Sequence, residues 1–185
     1  MPEKNILFNS AAKAGLVLGG VSIVSVLLPW LLGKIPGESR GLLMAVSVAD
    51  TLIWAAKLFL CIYLMRLFMR RFSARVPEAD NSRVFRFGVL TALLSALVYS
   101  AFYMAYLMFI DPESINMALD IIRENPMMDS ASIAAAEAMA PTLPSYAFFT
   151  NLIYCFLFGT VLSAILSRNI PPRNPFAGDD FKQQQ

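Results

Sequence analysis

The 185-residue chain has no histidine at all and only 15% charged residues. Without imidazole the commonest metal ligand and the commonest proton-transfer group near neutral pH are both missing. The motifs that carry chemistry elsewhere are missing too: no G-x-S-x-G, no H-E-x-x-H, no glycine loop to cradle phosphate and no EF-hand run of alternating oxygens. No catalytic residue, metal site or cofactor is therefore expected, and the chain reads as a non-enzyme. A net charge of +2 is too small to point to nucleic acid, and the basic residues gather in one loop instead of along a binding face. The two cysteines, Cys61 and Cys155, both fall in apolar runs. There a small hydrophobe is the ordinary reading and a disulfide or zinc site the unusual one.

What the chain has in abundance is grease. With 57% hydrophobic residues and a mean hydropathy of +0.59 it carries more apolar surface than one water-soluble core can hide, so the lipid bilayer is its expected partner. A crossing helix needs about 20 mostly apolar residues at about 1.5 Å each. Four runs qualify: residues 14–32, 42–64, 87–110 and 146–166. Backbone amides in lipid must be paired within their own segment, and the alternation of a barrel strand is absent, so the expected fold is an all-α integral membrane four-helix bundle. One domain over residues 1–168 is expected, followed by a polar, proline-rich and disordered cytoplasmic tail over 169–185.

Lys4 and Lys13 ahead of the first run also suit a signal peptide, but such cores span about 7 to 15 residues and end in a small-residue site. This run continues through "SVLLPWLLGK", so it is read as a retained span. Within it Gly15 and Gly19 stand four apart, the spacing that lets helix backbones approach closely. Packing within the chain is the simpler use of that face; a homodimer would use the same chemistry.

Orientation follows from lysine and arginine, which stay on the cytoplasmic side of short loops. Arg66, Arg70, Arg71, Arg75, Arg83 and Arg86 lie between the second and third runs, against Arg123 alone between the third and fourth. Both termini are expected inside. Trp30, Tyr106 and Tyr146 then fall near the outer interface, where amphipathic rings favour the headgroup level.

The outer segment, residues 111–145, is acidic and reads as two short helices. In "DPESINMALDIIREN" Asp111 is expected to cap the first, with Pro112 at its first position and Pro126 beyond its end. The second runs over "SASIAAAEAMA", begun by Asp129 or Ser130 and closed by Pro141. Ile115, Leu119 and Ile122 share a face that needs a cover: the outer leaflet, the tops of the spans or another protein.

"ADTLIWAAKLFLC" sets an acid and a base in the second run. Each of Asp50 and Lys57 costs about 2.5 to 3.5 kcal/mol at mid-membrane, against a return of about 0.3 to 0.6 for each large aliphatic residue or phenylalanine. They must therefore face protein or water. Seven residues place them on one helix face about 10 Å apart, so a water or hydroxyl would have to close the gap. Ser22, Ser25, Thr91, Ser95, Thr150, Asn151 and Tyr154 supply polar groups in the other spans. The pair is read first as a polar network that fixes helix register, and second as part of a proton, ion or solute path.

The order of four spans, with the segment "NPMMDSASIAAAEAMAPTLPS" leading into "FFTNLIYCFLFGTVLSAILSRNIPP", resembles the uncharacterised bacterial membrane-protein family catalogued as domain of unknown function 4199. The resemblance covers nearly the whole chain. It implies an inner-membrane address and brings no catalytic residues. The expected function is that of an accessory or scaffold component acting through a membrane-protein partner or a second copy. The alternative is a small transporter or permease component using Asp50 and Lys57.

Overall fold

The computed structural model describes residues 2–34, 40–76 and 80–170; the proline-rich tail, from residue 171, lies outside these, with Arg173 and Lys182. Among the described residues there is no strand. The order is α1 (Pro2–Gly33), α2 (Arg40–Arg75), α3 (Asn81–Ala105) with a π-helical turn (Tyr106–Ile110), α4 (Glu113–Glu124), α5 (Ser130–Met139), a 3-10 turn (Ala140–Thr142) and α6 (Leu143–Arg168). The expected all-α class is what is found, and α1, α2, α3 and α6 belong to four segments long and apolar enough to cross a membrane.

The helices overrun the apolar runs. At 36 residues α2 is about 54 Å long, well beyond a hydrocarbon core of about 30 Å. Its last turns stand clear of the apolar stretch and expose Arg66, Arg70, Arg71 and Arg75. Asp80 starts α3 as a cap, its carboxylate accepting from the Asn81 amide at 2.7 Å.

α3 is the centre of the bundle, packed along its length between α1 and α6. Small residues make this possible. A Cβ placed on Gly15 would stand 2.8 Å from the Leu94 Cβ, and one on Gly19 2.9 Å from Val98 Cγ1, so the α1 backbone lies directly against α3. Gly88 and Gly159 do the same between α3 and α6, against Ser163 and Ala92.

α2 leans mainly on α1 and meets α3 and α6 sparsely. The buried core explains where. It joins Ala11, Ala14 and Leu18 of α1, Met65, Met69 and Phe72 of α2, Val84, Phe87 and Ala92 of α3, and Leu166. All but Leu18, which stands at the middle of α1, lie in the halves of their helices nearest the arginines. The bundle is closed at that end; at the other, α2 stands away from α3 and α6, with Met44, Val48, Leu52 and Trp54 exposed.

Two expectations at the far end of α3 are corrected. Asp111 does not cap α4: its carboxylate accepts from the Tyr106 hydroxyl at 3.0 Å, and Pro112 occupies the capping position. Tyr106, at the end of α3, is correspondingly buried. The π turn over Tyr106–Ile110 turns the chain so that this tyrosine and its acid meet. The second short helix is found where expected, with Asp129 as its cap accepting from the Ser132 amide at 2.9 Å.

Candidate functional site

Where α2 parts from α3 and α6, the bundle holds a cavity of about 170 Å³, lined by all four spanning helices. Leu18, Met65, Ala92 and Leu162 floor it from the closed core. The space exists because the facing residues of α3 and α6 are small: Ala92, Ala96 and Gly159 bring those helices together and leave nothing to reach across to α2. Trp54 of α2 and Tyr154 of α6 line it while remaining 64% and 70% exposed, so they frame its mouth. Tyr99, buried on α3, forms the back wall.

Lys57 enters this cavity, its Nζ 4.7 Å from the centroid of the Tyr99 ring. That is a cation–π contact with the electron-rich ring face. Asp50 stays outside the lining and is exposed. Among the described residues neither makes an ion pair with the other or with anything else. Of the polar groups anticipated around them, Ser22, Ser95 and Tyr154 do line the cavity, whereas Thr91 is buried elsewhere, Thr150 is exposed, and the Ser25 hydroxyl is bound to the Ser22 carbonyl at 2.7 Å.

The two thiols, read from the sequence as small hydrophobes, face the same cavity. Cys61 and Cys155 are free, and both line the cavity together with Lys57 and Ser22. The signal was present: Trp54, Lys57 and Cys61 recur at helical spacing, so a face that holds the lysine must hold its neighbours three before and four after.

A second feature lies at the open end. α4 and α5 form a hairpin clamped by Arg123, whose Nε donates to Glu137 Oε1 at 2.8 Å and whose Nη1 donates to Asp120 Oδ1 at 2.8 Å. The hydrogen bond to Glu137, then that to Asp120, holds the guanidinium above its ordinary pKa. Leu119 is buried and Ile115 and Ile122 half-buried, yet Met117, Ile121 and Met127 of the same hairpin are 60%, 70% and 92% exposed. Gly15 and Gly19 present no comparable surface, since α3 covers both.

Among the described residues no three histidine, cysteine or acidic side chains gather to hold a metal. No curated protein and no solved structure matches the chain. The model of one family, described as protein of unknown function (DUF4199), matches residues 13–168. Spanning nearly all of the four-helix unit, that match places the chain in the DUF4199 family, as a membrane protein whose activity is unknown.

Proposed function

We propose that this is a non-enzymatic accessory or scaffold protein of the bacterial inner membrane, acting through protein contacts, with both termini cytoplasmic. The observation that carries the reading is the α4–α5 hairpin, which is braced by Arg123 and holds Met117, Ile121 and Met127 away from its own bundle. Methionine-rich exposed surface is adaptable and suits a partner more than water. The arginines gathered at the opposite end support the orientation, with the hairpin outside. Since α3 fills the Gly15 face, a second copy would have to engage another surface.

A photo-crosslinking residue at Met127 or Ile121, activated in native membranes and followed by mass spectrometry, tests this. A recurrent protein adduct is expected; chain recovered without protein adduct from both positions overturns the proposal. Reporter fusions in the arginine-rich loop and after Asp111 test the orientation, with cytoplasmic and exterior activity expected respectively.

The transporter or permease reading is favoured by a separate observation, the Lys57 cavity between the spans. Here Asp50 would serve at the mouth and Lys57 inside. An Asp50→Asn variant that keeps every flux and growth phenotype counts against it.

A further inference from the structure

Lys57 lies within the apolar run 42–64, about one helical turn past its middle, inside a cavity, with no carboxylate in ion-pair contact among the described residues. A lysine at that depth is costly, and the Tyr99 face offsets only part of the cost. The acid on the same helix does not reach it, since Asp50 lies outside the lining, about two turns away. Among the described residues the site therefore offers a cation and lacks an anion.

Three features define what would supply one. The mouth is framed by Trp54 and Tyr154, exposed side chains of two spanning helices that barely touch, so it opens sideways toward hydrocarbon. The lining is apolar apart from Lys57, the hydroxyls of Ser22, Ser95, Tyr99 and Tyr154, the Trp54 indole and the two thiols. The volume, about 170 Å³, is close to that of an engineered cavity of about 150 Å³ that admits benzene. It can take a small head and its first carbons, with the rest of an apolar chain leaving through the mouth.

The head must also reach mid-membrane. A phosphodiester stays charged and is held at the interface, whereas a carboxylic acid can cross hydrocarbon neutral and ionise beside an ammonium. The proton it loses is released to water; no bond to carbon is made or broken. We propose that the cavity binds a carboxylate-headed amphiphile of the fatty-acid class, admitted between Trp54 and Tyr154 and ion-paired with Lys57. The site needs no protein partner, so it goes beyond the contact function and can fail without it.

The test uses the full chain in nanodiscs of zwitterionic lipid, with the fluorescent fatty acid cis-parinaric acid as probe and energy transfer from tryptophan as signal. Saturable transfer is expected, abolished by excess oleic acid and left unchanged by methyl oleate, which has the same chain and no charge. Lys57→Gln should weaken the probe about tenfold or more, and Lys57→Arg should keep most of the affinity. Displacement by methyl oleate as efficient as by oleic acid overturns the proposal. So does equal displacement by phosphatidic acid, which would assign the cavity to phosphate-headed lipid, or wild-type affinity in a Lys57→Gln protein that elutes as wild type. If that variant does not fold, the acid and ester comparison on the wild-type chain decides.

Discussion

Gly159 of α6 lies so close to Ala92 of α3 that a Cβ built on it would stand 2.5 Å from the alanine Cβ. Real Cβ atoms do not approach so nearly, so any larger residue must push the two helices apart. The same contact sets the width of the Lys57 cavity, because Gly159 and Ala92 both line it.

Gly159→Ala should therefore lower stability by about 1–3 kcal/mol, the usual range for overpacking a fitted contact. Gly20 is the internal control. It lies in α1 with nothing within 4 Å of its would-be Cβ, so Gly20→Ala should change stability by no more than about 0.5 kcal/mol. Denaturation midpoints of the two variants in one detergent check this; equal losses would mean that the α3–α6 contact is looser than described.

The closed end should carry most of the bundle's stability. Phe72 and Phe87 stack there with ring centroids 4.4 Å apart and planes 7° from parallel, both buried. Phe87→Ala should cost about 3–5 kcal/mol through the cavity it leaves. Phe149, 60% exposed toward the open end, should cost less than about 1 kcal/mol on the same change. A comparable fall in the two melting midpoints would contradict a core concentrated near the arginines.

The number of spans, their approximate limits and the two short helices were legible because length, apolarity and capping residues are local properties. The Asp129 cap of α5 is an example: "DSAS" ahead of an alanine-rich run specifies it without reference to anything else in the fold. Helix pairing was mostly not legible. A spanning helix is apolar on every side, so periodicity does not say which face meets protein and which meets lipid; only the close glycines hint at a neighbour. That is why the standing-off of α2, and with it the cavity that Lys57 enters, was not legible in the sequence. Asp111 misled for a different reason. A residue before Pro112 looks like a helix cap, but the buried Tyr106 hydroxyl needs a partner and its claim on the carboxylate wins.

Thr91 is fully buried on α3, and among the described residues its hydroxyl has no hydrogen-bond partner. A hydroxyl shut away without a partner costs about 1–3 kcal/mol, so removing it without changing the side chain's shape relieves a penalty. Thr91→Val should leave the denaturation midpoint unchanged or raise it. A fall would show that the hydroxyl is bonded in solution.

The α5 cap should respond to acid in a defined direction. The Ser132 amide donates to Asp129 at 2.9 Å, and this bond with the residue's other local hydrogen bonds holds the carboxyl below its ordinary value of 3.8. A group whose pKa is lowered by folding contributes fully above its unfolded value and loses that contribution as pH falls through the lower folded one. Between pH 5 and 8 the cap is thus constant; the loss begins only below the ordinary carboxylate range. The Ser132 amide resonance, followed by NMR in detergent, should titrate with a midpoint under 3.8. Asp129→Asn keeps a capping oxygen that does not ionise, so its amide shift should be flat over the same range. A wild-type midpoint at or above the ordinary value would mean that the Ser132 bond does not persist in solution, and that α5 begins without its cap.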